Sequence, residues 1–274
     1  MPEPISTAKQ MIEKLFDSVA TSYDRVGPNI FTQFGTRLVE RMPLAPGAHV
    51  LDVATGTGAV LLPAARLVGP KGHITGIDLS GDILKEAERN AQAEGLTNVT
   101  FRKMDAEHLD FPDQSFDVVM CALALFFFPD MKAALREMYR VCKPGGFIGV
   151  SFFDKTPPPF NPALPILMQQ VTAYQEGVRS SLQMAYAPGE VESLLSQSGF
   201  RSIETHSESN EIVYASADDL WAFQLTTAMR AYIMSMNEET RPRFKDEYFA
   251  KLRPLFRQDG LHVSVAVIYA LAQR

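Results

Sequence analysis

Cysteine is nearly missing from this chain: Cys121 and Cys142 are the only two among 274 residues. Two isolated thiols make neither a disulfide framework nor a zinc-ligand spacing, which fits a reducing compartment or simple burial. Basic charge is also short. The 26 Lys and Arg against 32 Asp and Glu leave a formal net charge of −6 and a pI near 5.4. Such a chain has no general positive field for a phosphate backbone, so nucleic acid is not expected as a partner. No apolar run reaches the roughly 20 residues that a spanning helix needs. The longest, "VVMCALALFFF" over 118–128, halts at Pro129 and reads as a buried strand and its exit, so no membrane span is expected. The opening "MPEPISTAKQMIEKLF" lacks the uninterrupted apolar stretch of a secretion signal. No metal-ligand set stands out. These absences lead to the expectation of a cytoplasmic globular protein, and 46% hydrophobic content supplies a substantial core.

What the chain does have is alternation. An amphipathic segment with Met11, Ile12, Leu15, Phe16 and Val19 leads to Tyr23, and a second runs from about Phe31 to Met42. Short apolar runs then trade places with helical patterns: "HVLDVA", a helix from about Ala59, "HITGIDL", a helix from Gly81 to about Glu94, "VTFRKMD" and "FDVVMCA". Next, "MKAALREMYRVCKPGG" reads as a helix stopped by Pro144 and the Gly145, Gly146 pair, and "FIGVSFFD" as the following strand. Alternating strand and helix predicts a parallel sheet covered on both faces. Five prolines in "KTPPPFNPALP" mark a connection. Beyond it the pattern predicts helix to about Met184, a helix in "GEVESLLSQSGF", a strand "RSIETHS", helix from Ala217 to about Gln258, and a final strand "HVSVAVIYALA".

One stretch carries chemistry. In "VLDVATGTGAV", residues 50–60, a strand feeds a bend made only of Ala, Thr and Gly that opens a helix. Small residues let backbone approach a ligand closely, and N–H groups at a helix start favour an anionic group. Dinucleotides and adenosyl-sulfonium compounds both use such a seat. The dinucleotide fingerprint G-x-G-x-x-G fails at its third glycine, where Leu61 stands. Moreover, Asp52 just before the bend would repel a pyrophosphate and suits a cationic ligand. Asp78 in "GIDLS" stands where a carboxylate receives ribose hydroxyls in either class. Taken singly, Asp78 and Asp105 also have a plain reading as helix caps or turn formers.

The ordered set "VLDVATGTG", "GIDLS", "MDAEHLDFPDQSFDVV" and "REMYRVCKPGGF", covering about residues 48–154, resembles the class I S-adenosylmethionine-dependent methyltransferases. The stretch "LFDSVATSYD" at 15–24 resembles the start of the ubiquinone and menaquinone C-methyltransferases and their small-molecule relatives. The resemblance implies that S-adenosyl-L-methionine is bound and S-adenosyl-L-homocysteine released. It implies that Asp78, with Leu79 beside it, meets the ribose, and that Asp105 and Ala106 hold the adenine. The bend Ala54, Thr55, Gly56, Thr57 and Gly58 would lie against the methionine part, with Asp52 acting on its ammonium. Cys121 and Ala122 would lie beneath the reacting methyl, and Tyr23 would close over the site. Ala54 replaces the glycine common in the family, as it does in the quinone branch. "FFF" at 126–128 replaces polar or His residues and gives the site an apolar mouth.

The expected fold is therefore α/β, a doubly wound, mostly parallel, seven-stranded Rossmann-like sheet with a helical substrate cover. Its segments are lid helices (1–46), the cofactor-binding core (47–154), a lid insertion (155–187), a sheet continuation (188–216), a helical cover (217–258) and the final strand (259–274). The expected activity is methyl transfer to a small, apolar or aromatic acceptor. Phe126, Phe127, Trp221 and Phe223 are candidate acceptor contacts, although aromatics at helical spacing also serve as plain core. A sulfonium methyl is already activated, so alignment and exclusion of water can carry the rate, and the sequence nominates no catalytic base. The alternative is a protein of the same fold that binds the cofactor without transferring methyl, as a cyclase, scaffold or regulatory partner.

Overall fold

The computed structural model describes residues 7–156, 163–174 and 183–274. The first six residues, the prolines of the connection except Pro165, and part of the expected 155–187 insertion lie outside the described residues. The chain begins with α1 (Thr7–Val19) and α2 (Ile30–Arg41), then runs β1 (His49–Val53), α3 (Leu61–Val68), β2 (His73–Asp78), α4 (Gly81–Ala93) and β3 (Val99–Lys103). There follow β4 (Phe116–Ala122), α5 (Met131–Val141), β5 (Cys142–Asp154), α6 (Ala163–Tyr174), β6 (Ala185–Tyr186), α7 (Pro188–Gln197) and β7 (Arg201–Tyr214). Finally come α8 (Ala217–Gln224), α9 (Met229–Met234), α10 (Thr240–Leu252) and β8 (Leu261–Gln273).

The strands form one sheet in the order β3-β2-β1-β4-β5-β8-β7, parallel except for β8, which runs antiparallel to both neighbours. From β1 the chain winds outward to β2 and β3, then returns to place β4 on the other side of β1. That reversal opens a crevice at the carboxyl ends of β1 and β4, where doubly wound sheets bind ligands. The central strands are sealed: Val50, Leu51 and Val53 of β1 and Val118 to Cys121 of β4 are buried. Continuous apolar runs suit strands covered on both faces. α5 presents Ala134, Leu135 and Met138 to the core, spaced as one helix face requires. Side-chain caps fix two helix starts: Ser80 accepts from the Ile83 amide (3.1 Å) and Asp130 from the Ala133 amide (2.8 Å).

Three details differ from the sequence pattern. The helix expected to run into "CKPGG" ends at Val141, and Cys142 is already extended and paired with Phe116. Pro144 disfavours helical backbone before it, and pairing with β4 takes over. Second, an eighth strand, β6, joins β5 beyond the point where β4 stops at Ala122, and so occupies backbone groups that β4 leaves open. Third, the expected 217–258 helix is three helices. Thr226 and Thr227 turn their hydroxyls back onto the carbonyls of Phe223 and Gln224 (2.8 and 3.0 Å), which competes with helix continuation, and Asn237 receives the Thr240 amide (2.7 Å).

Gly35 in α2 sets the distance from this helix to the loop after β1. A Cβ built there would lie 2.5 Å from the Ala59 carbonyl oxygen. Replacing Gly35 by Ala gains about 1 kcal/mol of helix propensity, whereas the clash with backbone costs roughly 1–3 kcal/mol. We expect Gly35→Ala to lower the urea midpoint. A raised midpoint would show that α2 does not pack this closely.

Candidate active site

The bend between β1 and α3 is held in a conformation that side chains disfavour. Ala54, Gly56 and Gly58 have φ of +55°, +56° and +99°. A left-handed alanine costs about 1–2 kcal/mol, so the surroundings must fix it. The Gly56 amide donates to Asp78 Oδ2 (3.0 Å), the Thr55 amide to the Ile77 carbonyl (2.9 Å), and Asn90 Nδ2 to the Thr57 carbonyl (3.0 Å). Asp52 accepts the Thr55 hydroxyl (2.6 Å) and the Leu61 amide. A Cβ added at Gly56 would meet only Tyr23 Cε1, at 3.9 Å, so this backbone faces open space beneath the Tyr23 ring.

That space is a cleft along the carboxyl ends of β1, β2 and β4. Eight of the residues singled out in the sequence line it: Tyr23, Ala54, Gly56, Asp78, Leu79, Asp105, Ala106 and Ala122. Five do not. Asp52, only 1% exposed, braces the bend from below, and Thr55 and Cys121 are buried with it. Thr57 and Gly58 face a separate polar depression beside Asp24, Arg25 and Asn90.

α1 crosses the cleft. Lys9 forms ion pairs with Asp105 (2.6 Å) and Glu107 (2.5 Å), while Asp105 also accepts the Glu107 amide (2.9 Å). Ile12 and Phe16 continue the same helix face over the opening. Sequence reasoning missed this role. The spacing of Lys9, Ile12 and Phe16 marks one face of a helix, but nothing in it says what that face covers.

A larger apolar cavity of about 400 Å³ adjoins the cleft. The two share Phe16, Tyr23, Leu123 and Phe127. Leu123 reaches this neck because its backbone, at φ +48°, is pinned by its amide donating to Ser151 Oγ (3.1 Å). Phe126, Phe127 and Phe223 line the cavity as expected. Trp221 does not: it packs against Phe244, Tyr248 and Phe249, with the Lys245 ammonium 4.9 Å from the Phe249 ring. The reason is helix geometry, since Trp221 follows Leu220 by about 100° around α8 and leaves the face that Leu220, Phe223 and Gln224 share.

The carboxylates at the cleft are starved of water. Burial pushes the Asp52 carboxyl up to about 7, against the Thr55 hydroxyl that favours its charge and with Asp78 adding repulsion. Burial likewise pushes Asp78 up to about 6, opposed by the amides of Ser80, Gly56 and Leu79. The Tyr23 hydroxyl is pushed up by burial and then by Asp24 and Asp78. Such a site favours a ligand that brings positive charge and hydrogen-bond donors. Because both folded-state values lie above the ordinary 3.8, the folded chain holds more protons than the unfolded one between pH 3.8 and about 6 to 7. Their stabilisation is complete below about pH 4 and is lost as pH rises through 6 to 7. The stability of Asp52→Asn relative to the parent should therefore rise between pH 5 and pH 8, by up to a few kcal/mol in urea titrations. A pH-independent difference would contradict the raised value.

With this geometry in view, the kinship of the chain is informative. A family model described as "Methyltransferase domain" matches residues 44–216, more than half of the chain. The aklanonic acid methyltransferase of Streptomyces sp. (strain C5) is 37% identical over 167 residues, covering 58% of this chain and 76% of that protein. The nocamycin O-methyltransferase of Saccharothrix syringae is 31% identical over 232 residues, 80% of this chain and 82% of its own. Among solved structures, a protein of Bacillus halodurans C-125 assigned as a methyltransferase superposes with a TM-score of 0.60 at 25% identity, over 88% of this chain and 98% of that one. No helix among the described residues is long and apolar enough to cross a membrane. The chain belongs to the methyltransferase-domain family and is an S-adenosylmethionine-dependent methyltransferase of the doubly wound α/β class.

Proposed function

We propose that the chain transfers the methyl group to an oxygen of a small, apolar or aromatic molecule held in the cavity beneath the helical cover. The observation that carries this reading is the shared neck: Phe16, Tyr23, Leu123 and Phe127 bound both the carboxylate-edged cleft and the apolar cavity. Oxygen as the receiving atom is supported by the name of the nocamycin O-methyltransferase, similar over most of its length.

The cleft fits S-adenosylmethionine by its donor set. A carboxylate at the edge of β2, the open backbone face of Gly56 and the apolar Leu79 and Met104 suit ribose hydroxyls, an amino-acid tail and a purine in turn. In this reading Asp78 accepts the ribose hydroxyls, and Asp105 with the Ala106 backbone holds the adenine. Ala54, Thr55, Gly56, Thr57 and Gly58 lie along the methionine part, and Asp52 contributes negative field from below. Cys121 and Ala122 form the floor, while Tyr23 and Phe16 form the roof. Segments 1–46, 155–187 and 217–258 act as the closing parts. When bound, the cofactor supplies an electrophilic methyl on a sulfonium. The chain's part is then to align the acceptor at the neck and exclude water, worth effective molarities of about 10⁵–10⁸ M in well-oriented reactions. Among the described residues no histidine lines either space. A reducing, cytoplasmic setting is supported by two buried, free thiols.

Calorimetry tests the donor site. Asp78→Asn should weaken S-adenosylmethionine binding by about 1.5–3 kcal/mol, the worth of hydrogen bonds to a charged group. Parent affinity should fall as pH drops through about 6, where Asp78 takes a proton, and the variant should lose that dependence. Incubation with isotopically labelled cofactor and a panel of phenols, amines and carbon acids, read by mass spectrometry, tests the acceptor. Label found only on nitrogen or carbon, or on nothing, would overturn the oxygen assignment.

A further inference from the structure

Asp154 ends β5, Gln224 ends α8, and both line the apolar cavity while only 5% exposed. Each holds an acceptor atom that no donor meets. Asp154 Oδ1 takes the Thr156 amide (2.8 Å) and hydroxyl (2.6 Å), and Oδ2 takes nothing. The Tyr248 hydroxyl donates to the Ala163 carbonyl (3.2 Å) and so must accept from Gln224 Nε2 (2.8 Å). That network fixes the orientation of the amide and leaves Gln224 Oε1 without a partner.

Leaving a buried acceptor unpaired costs about 1–3 kcal/mol, and more for a charged one. Two of them on the wall of one mainly apolar cavity need an explanation. The neighbouring polar groups do not provide it. The Lys155 ammonium is engaged by Glu190 (2.7 Å), and the Thr227 hydroxyl donates to the main-chain oxygen of Gln224 (3.0 Å). A bound molecule that brings its own donors would satisfy both atoms, which is how a few polar groups orient a ligand in an apolar pocket.

Register locates Asp154 relative to the floor of the cleft. Ser151 lies beside Ala122 at the floor of the cleft, and Asp154 is three residues farther along β5. At about 3.3 Å per residue this is on the order of 10 Å beyond the floor.

We infer that Asp154 and Gln224, which line the cavity but neither the cleft nor the neck, are specificity-determining positioning residues that receive hydroxyl donors of the acceptor away from its methylated atom. The inference rests on the cavity being the acceptor site. It selects hydroxylated molecules long enough to span from the neck to this pair over single-ring phenols and over wholly apolar ones. A site that hydrogen-bonds a hydroxyl rejects the analogue lacking it, because its own buried groups are then left unpaired.

The test uses the complex with S-adenosylhomocysteine and two probes: anthraflavic acid, a flat tricyclic quinone with a phenol at each end, and the same quinone with a single phenol. By calorimetry the parent should prefer the two-phenol probe by at least about tenfold, the worth of a charge-assisted hydrogen bond. Asp154→Leu and Gln224→Met should each reduce that preference to below about threefold. Both variants should keep the parent's affinity for S-adenosylhomocysteine, and if Asp154→Leu loses it by misfolding, Gln224→Met decides. Equal affinities in the parent, binding of neither probe, or a preference that survives the substitutions overturns the inference while leaving methyl transfer intact. A parent that fails to bind S-adenosylhomocysteine strikes at the donor site itself and takes this inference with it.

Discussion

The bond from the Gly56 amide to Asp78 ties the end of one strand to the bend that follows its neighbour. It joins the ends of β1 and β2 and helps hold the left-handed Ala54 and Gly56 open toward the cleft. Without a buried acceptor at that point, the bend would have no reason to keep Ala54 at positive φ. The same carboxylate is half-buried against repulsion from neighbouring acids, so its charge is expensive until donors or a cation arrive. One side chain thus shapes the seat and makes it receptive.

Two chemically opposite spaces meet at the neck. Carboxylates edge the cleft, and aromatic and aliphatic side chains wall the cavity. The aromatic neck joins segments distant in sequence, with Phe16 edge-on to Phe127 at a centroid distance of 5.5 Å, while Tyr23 stacks on the nearby Phe31 at 5.0 Å. Edge-on and offset rings pack densely without polar atoms, so water is excluded where the methyl would move. This arrangement favours a reaction that depends on orientation more than on proton transfer.

The parts of the site closest to β1, β2 and β4 are elements of the sheet, while many of the residues that wall the cavity come from helices added at the amino terminus and between β7 and β8. A fixed donor seat with a separately built cover lets one fold serve many acceptors. Lys9 shows that the cover also reaches the donor side, since its ammonium sits on Asp105, the acid that the family resemblance assigns to adenine.

The sheet was legible because its signals are local. Short apolar runs, a bend of small residues and acids at strand ends act over a few residues, and the run "FDVVMCA" coincides with β4, Phe116–Ala122. Eight of the thirteen expected donor-site residues line the cleft, seven of them at or just beyond strand ends and Tyr23 in the turn after α1. Trp221, Lys9, Asp154 and Gln224 were another matter. Which way Trp221 turns depends on one helical step, and what Lys9 pairs with lies 96 residues away. By itself the sequence determined the doubly wound sheet and the bend that seats the donor, because hydrophobic period and backbone sterics are properties of neighbouring residues. Only tertiary packing decided where the cavity opens and which buried acceptors stay unpaired, because burial and hydrogen-bond satisfaction depend on everything that surrounds an atom.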